Sequence, residues 1–362
     1  MANETPKPMM IVLARESRGY TQSALASEIG VTQGTLSKVE NGQAPPAGDL
    51  VRRLSESLNY PASFFFQEYA FRSLPISFYR KRIRVKAVLE KTIRARLNIC
   101  RLHAIVLLRS VDLPELQVPV INLKEYRGNV EQVAREMRLR WHTPPGPIVN
   151  LTSLLESMGL LIVPCDLGTN QIDAISSYSP GDGCPPIILM NASTPGDRQR
   201  FSLTHELAHL LFHHHLALPG NEIEDEANRF AAEFLLPAAE VRNYLDRPTL
   251  AKLANLKPYW KVSIQSLLMR ASQLQKITER QERYLWAQIG KAGYRTCEPF
   301  PIPREPATLI TELIQSHAEH LGYSERDLAA LLHLHLPEFR GLYGSGGPTV
   351  GTLRPVRQPY QA

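Results

Sequence analysis

The stretch SLTHELAHLLFHHH, at residues 202–215, decides how the central part of the chain folds. On a helical wheel its leucines share one face, and His205 and His209 fall nearly opposite that face. The i, i+4 spacing places the two imidazoles one turn apart, where both can reach one metal ion. The pattern therefore predicts an amphipathic helix that buries its leucines and carries half of a metal site.

Glu206 lies between the two histidines and completes the pattern HExxH. In this arrangement zinc acidifies a bound water molecule, and the glutamate accepts the proton of that water. The five-residue pattern is a weak signal by itself, because zinc also needs a third protein ligand and an open fourth position. The neighbouring sequence must supply that third ligand.

The best candidate lies in the stretch EDEANRFAAEFLLP, at residues 224–237. Glu224 and Asn228 share one face of this predicted helix, and small alanines let it approach the first helix closely. Glu224 is the predicted ligand, and Asn228 is predicted to hold a ligand side chain in place. Glu226 lies about 200° around the helix from Glu224, so both cannot face one ion. The competing glutamates of this region are Glu222, Glu226 and Glu233.

Two further histidines, His213 and His215, follow the HExxH pattern directly. Three successive turns of one helix cannot close on one ion, which argues against His213. His215 has the spacing of a third ligand in the pattern HExxHxxGxxH, but Phe212 replaces the glycine that would break the helix. Both histidines are therefore predicted to lie at an exposed helix end.

Two short β-rich runs, GLLIVPC at 159–165 and PPIILMN at 185–191, are the best strand candidates. The second is predicted to be an edge strand that binds an extended peptide by adding it to the sheet. Cys184 precedes this strand in a loop. Its thiolate is a candidate latency switch at the fourth zinc position, and the alternative is a loop cysteine without a role.

A second motif, TQSALASEIGVTQGTLSKVENG at residues 21–42, lies near the N-terminus. Thr21 and Thr32 each precede a short amphipathic helix as an N-cap, and Gly30 ends the first of these helices. This is a helix–turn–helix arrangement, whose second helix lies in the DNA major groove. Gln22 and Gln33 sit at helix starts, where an amide reaches a phosphate or an adenine edge.

The length and composition of the chain limit the number of domains and the class of protein that these hypotheses allow. A chain of 362 residues with 43% hydrophobic residues predicts two or three globular domains. No apolar run approaches the ~18 residues of a membrane span, and four widely spaced cysteines argue against a disulfide framework. These features predict a cytoplasmic protein without a membrane partner.

The net charge of +6 is unevenly distributed. Residues 1–68 carry six basic and seven acidic side chains, whereas residues 69–109 carry eleven basic side chains and one acid, Glu90. Residues 76–110 are predicted to form one long basic helix, either a solvated face or a segment that contacts DNA phosphates. In the second case, bound DNA would activate the metal centre.

An internal similarity links the two ends of the chain. Residues 19–40 align without gaps to residues 322–343, which share Gly-Tyr, Leu-Ala and several apolar positions. The C-terminal copy therefore resembles a helix-turn-helix with an eroded reading face and is predicted to contact protein. A chance match of two amphipathic helix pairs remains the alternative.

Two family resemblances follow from these motifs. Residues 9–68 resemble the XRE or lambda-repressor type of helix-turn-helix domain, which implies that Gln33, Thr35, Ser37 and Lys38 form the face that reads DNA. The pair RQRFSLTHELAHLLFHH and EDEANRFAAEFLLP is similar to the ImmA/IrrE family of zinc metallopeptidases, over about residues 129–290. That resemblance implies a gluzincin-like fold, one Zn²⁺ per chain on His205, His209 and Glu224, and Glu206 as the general base.

Together these observations predict a multidomain, mainly α-helical protein with a small β-sheet. An all-α lambda-repressor-like domain (1–68) and a basic helical linker (69–128) precede an α+β gluzincin-like peptidase domain (129–290). A helical C-terminal region (291–345) and a disordered tail (346–362) follow.

The predicted function is a DNA-binding transcriptional regulator with zinc endopeptidase activity. By the family resemblance, its partners are an operator DNA and a protein substrate, which is a repressor or an antitoxin-type protein of a toxin–antitoxin system. A homodimer is compatible with paired DNA half-sites. The alternative is a regulator without catalysis, whose zincin-like domain senses a signal or binds a partner.

Overall fold

The computed structural model describes residues 5–67, 86–111, 113–179, 183–213 and 221–344. Over these residues the chain is mainly helical, with one small three-stranded sheet. The predicted disordered tail at 346–362 lies outside the described residues.

The N-terminal head consists of four helices and a 3-10 turn. They are α1 (Pro8–Ser17), α2 (Gln22–Glu28), α3 (Gln33–Glu40), α4 (Leu50–Leu58) and the turn Ala62–Phe66. Thr21 and Thr32 cap α2 and α3 by accepting hydrogen bonds from backbone N–H groups, as predicted. Gly30, at φ 67°, allows the left-handed turn between the two helices.

The next helix, α5 (Ala87–Leu107), is the described part of the predicted basic helix. Residues 76–85 of that prediction lie outside the described residues. The described part differs from a solvated linker, because Ile93, Leu97 and Leu107 are completely buried and α5 packs along α1. Arg101 and His103 are buried as well. α5 is therefore an integral part of a hydrophobic core.

The central region alternates helices and strands. In chain order they are a 3-10 turn (Leu123–Tyr126), α6 (Val130–Arg140), α7 (Leu151–Ser157), β1 (Leu161–Cys165), β2 (Ala174–Ser177), β3 (Ile187–Asn191), α8 (Gly196–Ala208), a π-helical turn (His209–His213) and α9 (Asn221–Leu235).

The strand order is β1-β3-β2, with β1 parallel and β2 antiparallel to β3. The predicted edge strand, β3, is therefore the central strand, and that prediction was wrong. β2, which lies against α8, was not predicted from the sequence. Both neighbours of β3 hydrogen-bond to it, so a bound peptide can only pair with β1 or β2.

The sheet separates two hydrophobic cores. Leu161, Val163 and Leu189 face the first core, together with the head, α5 and the C-terminal helices. Ile162 and Ile188 alternate with them and face the second core, which α6, α8 and α9 complete. This alternation follows from the two-residue period of a strand.

The C-terminal part is helical up to Tyr343. Its helices are α10 (Ala238–Val241), α11 (Leu250–Trp260), α12 (Ile264–Gln273), α13 (Glu279–Lys291), α14 (Leu309–Leu321), α15 (Glu325–Leu331) and α16 (Leu336–Tyr343). None of the helices in the described ranges is long and apolar enough to cross a membrane.

The internal similarity extends to the geometry of the helices. α15 and α16 begin and end 303 positions after α2 and α3, so the gap-free alignment matches both helices end to end. His333 takes the place of Gly30 in the turn and has a left-handed backbone as well, at φ 51°. Ser324 caps α15 just as Thr21 caps α2.

The copy docks on the head. Glu338, which aligns with Thr35 of the reading helix, accepts two hydrogen bonds from the Arg18 guanidinium at 2.7 and 2.8 Å. The His333 imidazole lies 2.9 Å from the Ser63 hydroxyl in the 3-10 turn of the head. The C-terminal copy therefore contacts the head of its own chain.

Candidate metal centre and DNA-reading face

Three predicted ligands meet between α8 and α9. The Nε2 atoms of His205 and His209 lie 3.1 Å apart. The Glu224 carboxylate oxygens lie 3.4 Å from Nε2 of His205 and 3.5 Å from Nε2 of His209. Bond lengths of 2.0–2.1 Å around a tetrahedral zinc require ligand atoms roughly 3.3 Å apart. The two imidazole nitrogens and the Glu224 carboxylate are therefore close enough together to hold one zinc ion.

The environment of the Glu224 carboxylate also fits a metal ligand. Both of its oxygens are buried and have no hydrogen-bond partner among the described residues. A buried carboxylate without a hydrogen bond is costly, and a cation would remove that cost. Burial, together with the neighbouring His205 and His213, lowers the pKa of His209 well below its usual value. His209 is thus in the neutral form that binds metal.

Each ligand histidine is held through its other ring nitrogen. Nδ1 of His205 lies 3.1 Å from the side-chain oxygen of Asn228, the contact predicted for that asparagine. Nδ1 of His209 lies 3.0 Å from Nδ1 of His213. Such contacts fix the tautomer and orientation of a ligand ring, so Nε2 of both histidines faces the ligand cluster.

Glu206 lies beside the ligands, as the HExxH pattern requires. Its side chain is buried, and this burial raises the pKa of the carboxyl group, while the nearby His205 and hydrogen bonds from Ser176 act in the opposite direction. Ser176 belongs to β2. The edge strand is therefore in direct contact with the predicted general base.

The competing ligands have other partners or lie in solvent. Glu226 accepts a hydrogen bond from Nε2 of His213 at 2.9 Å, and Glu233 is buried in ion pairs with Arg270 and Arg135. Glu222 is exposed. Among the described residues, His205, His209 and Glu224 form the group that could hold a metal, with their ligand atoms all within 4.8 Å of one another.

The prediction of an exposed helix end was wrong for His213, which is 1% exposed. His213 lies in the π-helical turn between His209 and Glu226, where the helical wheel of a regular α-helix does not apply. The glutamates of the facing helix were the available signal, but they were weighed only as metal ligands and not as partners of His213. His215 lies outside the described residues.

Cys184 is buried in the first core rather than beside the ligand cluster. It is close enough to Cys100 to contribute to the raised pKa of that thiol, which results mainly from burial. This position gives the predicted latency switch no support.

The predicted reading face lies on α3 and at the start of α2. Gln33, Thr35 and Lys38 are exposed, and Ser37 is half-buried and lies 3.3 Å from the Asn41 amide. The Gln33 amide donates to the side-chain oxygen of Gln22 at 2.9 Å.

A buried ion pair supports this pair of glutamines. The Gln22 amide donates to the Glu40 carboxylate at 2.7 Å, and Glu40 also accepts hydrogen bonds from Arg15 at 2.6 and 3.0 Å. Arg15 and Glu40 are each 6% exposed. This pair was not predicted from the sequence, because its two members are 25 residues apart.

The geometry defines a DNA-binding type of head joined to a metallopeptidase-like centre, and two family models agree with it. Residues 11–65 match a model described as helix-turn-helix, and residues 155–272 match a peptidase model described as the IrrE N-terminal-like domain. A search of curated proteins finds no match. The two matched segments agree with the two resemblances predicted from the sequence, which are thereby confirmed.

Proposed function

We propose that the chain is a DNA-binding transcriptional regulator that cuts a partner protein with a zinc-dependent endopeptidase centre. The observation that carries this proposal is the triangle of His205, His209 and Glu224 with Glu206 beside it. One Zn²⁺ per chain would be held by these three ligands, where it supplies an acidified water molecule and polarises the scissile carbonyl.

The protein groups around the ligands have separate tasks in this proposal. The Glu206 carboxylate accepts the proton of the attacking water and delivers it to the nitrogen of the leaving amine. Asn228 keeps the His205 ring in its orientation.

The edge strand β2 is the proposed binding place of the substrate chain. β2 lies against α8, and Ser176 contacts Glu206, so a peptide added beside β2 passes next to the catalytic group. β-Augmentation binds an extended segment through its backbone, which suits a locally unfolded region of a substrate protein. We propose a repressor or antitoxin-type protein as this substrate, in the cytoplasm.

The first test is the metal content of the purified chain. We expect about one zinc per chain in the wild type and none in His209→Ala and Glu224→Ala, measured by mass spectrometry after dialysis. Glu222→Ala is the matched control, because this exposed glutamate lies on the same helix as Glu224. A wild-type chain that stays metal-free in excess zinc would exclude the proposed centre.

The second test separates catalysis from metal binding. Glu206→Gln should keep its zinc and lose cleavage of co-expressed helix-turn-helix repressors by about 100-fold to 10,000-fold, because the proton acceptor is removed. Cleavage products would be detected by mass spectrometry. A wild-type chain that binds zinc but cuts none of these repressors would favour a non-catalytic regulator instead.

A further inference from the structure

His213 and Glu226 lie next to the three candidate metal ligands, on the side of His209 away from the ligand cluster. His213 is 1% exposed, and the side chain of Glu226 is 19% exposed. Nδ1 of His213 lies 3.0 Å from Nδ1 of His209, and Nε2 of His213 lies 2.9 Å from a Glu226 carboxylate oxygen. The two rings and the carboxylate form a continuous hydrogen-bonded line that starts at a metal ligand.

The positions of the ring protons follow from this geometry. Nε2 of His209 faces the other ligand atoms, so the ring proton of His209 must be on Nδ1 for Nε2 to bind metal. That N–H can donate to Nδ1 of His213 only if His213 carries its own proton on Nε2. From Nε2, His213 then donates to the Glu226 carboxylate. One tautomer of each ring therefore satisfies every contact in the line.

The alternative tautomers conflict with the same contacts. A proton on Nδ1 of His213 would leave Nε2 without hydrogen, facing the carboxylate, and lone pairs would repel across 2.9 Å. The Nδ1 of His209 would then have to accept, which moves the His209 proton to Nε2 and blocks the metal position. Glu226 thus selects the tautomer of His213, and His213 selects that of His209.

The backbone is also unusual at this place. Residues 209–213 form a π-helical turn, a rare form that is frequently found at functional sites. In this turn the ring centroids of His209 and His213 are 5.2 Å apart and the ring planes are inclined by 53°. The local widening of the helix therefore coincides with the segment that brings the two Nδ1 atoms together.

We propose that His213 and Glu226 are positioning residues, which fix the metal-binding tautomer of His209 and thereby increase zinc affinity. The proposal rests on the zinc centre of the proposed function. Partners of this kind typically contribute about 10-fold to 100-fold to metal affinity. His213 itself binds no metal in this arrangement, because its Nδ1 faces a ligand ring and its Nε2 faces Glu226.

The experiment is a competition titration of zinc against a chromophoric chelator at pH 7.5. We expect His213→Phe to weaken zinc binding by about 10-fold to 100-fold, and Glu226→Gln by about 10-fold, because the amide cannot select the tautomer as a carboxylate does. His213→Gln, whose side-chain oxygen can accept from His209, should recover part of the affinity. Glu222→Gln is the control, and its affinity should equal that of the wild type.

A second readout follows the tautomer directly. Nitrogen NMR of metal-free chain labelled at histidine should show His209 with its proton on Nδ1 in the wild type, and a mixture of both tautomers in His213→Phe. Glu226→Gln provides the same test if His213→Phe does not fold, because Glu226 lies at the outer end of the line.

The outcomes distinguish the two proposals. A wild-type chain that binds no zinc overturns the metal centre itself. A wild type that binds zinc, with unchanged affinity in both His213→Phe and Glu226→Gln, overturns the positioning role and leaves the three-ligand centre intact.

Discussion

Glu224 and Glu233 lie on one helix and are both well shielded from solvent, yet their surroundings are opposite. Both Glu224 oxygens have no hydrogen-bond partner among the described residues, whereas Glu233 is paired with Arg270 and Arg135. The Glu224 carboxylate is thus suited to bind a cation together with the two histidines. The Glu233 carboxylate stabilises the fold through its ion pairs. This difference gives a direct way to distinguish ligand from structural glutamate.

We expect opposite effects of the same substitution on metal-free protein. Glu233→Gln should lower the free energy of unfolding by about 3–5 kcal/mol, because it leaves the buried Arg270 without its counter-charge. Glu224→Gln should leave it unchanged or raise it by about 1 kcal/mol, since a buried charge without a hydrogen bond is removed. Urea unfolding in excess chelator measures both. A large loss of stability in Glu224→Gln would contradict this account of the site.

The sequence predicted the grouping of the three candidate ligands better than the position of the side chains next to them. His205, His209 and Glu224 follow from the regular period of two α-helices, and the structure brings these residues together. The burial of His213 did not follow, because the π-helical turn changes the angular position of every residue within it. A regular helical wheel cannot anticipate that local widening.

At the scale of elements, a chain of hydrogen bonds links α1 to the reading helix. Arg15 of α1 pairs with Glu40 at the end of α3, Glu40 accepts from Gln22 at the start of α2, and Gln22 accepts from Gln33. The two glutamines on the reading face are thereby held before DNA arrives. Preorganised side chains lose less entropy on binding, so this ion pair should contribute to DNA affinity.

We expect Glu40→Gln to weaken DNA binding at least about tenfold, equivalent to about 1.4 kcal/mol, because Gln22 loses its charged partner. The measurement is fluorescence anisotropy with a DNA duplex selected from a random pool by the wild type. Glu28→Gln, an exposed position on α2, is the control. Equal affinities of Glu40→Gln and wild type would show that the glutamines are positioned by other contacts.

The packing of α5 against α16 gives a pH-dependent stability. Nδ1 of His103 lies 2.7 Å from the Tyr343 hydroxyl, and burial lowers the pKa of His103 to about 3. The unfolded chain takes up a proton near pH 6.5 and the folded chain does not, so stability is lost as the pH falls below 6.5. The loss continues until the pH reaches the folded value, near 3.

From pH 7.5 to pH 5.5 this histidine should reduce the free energy of unfolding by about 1.4 kcal/mol. His103→Phe cannot be protonated, so its stability should fall less over the same interval, as measured by urea unfolding at the two pH values. His320→Gln, at an exposed position on α14, should keep the wild-type dependence. Parallel profiles for His103→Phe and wild type would mean that His103 is not the responsible group.

Two of the three strands could be predicted from the sequence, and the third, β2, could not. β1 and β3 are apolar runs next to turn residues and were predicted. β2 has four residues, two of them serines, and it is a strand because it pairs with β3 and lies against α8. Both partners lie outside the segment, further along the chain, so the segment itself carried too little signal.

At the scale of the whole molecule, the head packs against other parts of the described chain. It shares the first core with α5, one face of the sheet and the C-terminal copy of the helix-turn-helix. Separate sequence motifs predicted separate domains, and the shared core was not predictable because it depends on which faces of distant helices meet. The Arg18–Glu338 pair joins residues 320 positions apart, and their side chains are 12% and 11% exposed.

Reversing this pair tests how firmly the copy holds the head. Glu338→Arg places two guanidinium groups together and should destabilise the chain by about 3–5 kcal/mol, with faster proteolysis of the head. The double variant Arg18→Glu with Glu338→Arg should recover about 0.5–3 kcal/mol of this loss. Urea unfolding and timed proteolysis measure both effects. Additive losses in the double variant would show that the two residues do not interact.

The first core also has a consequence for how the chain is made. Its residues come from three separated segments, 10–107, 161–189 and 309–343. A ribosome releases these segments in that order, so the face of the sheet that lies on the first core is not fully covered until helices α14 to α16 have emerged. Incomplete chains would expose that face to chaperones and proteases. The core beneath the candidate ligand residues is therefore complete only after residues 309–343 have been synthesised.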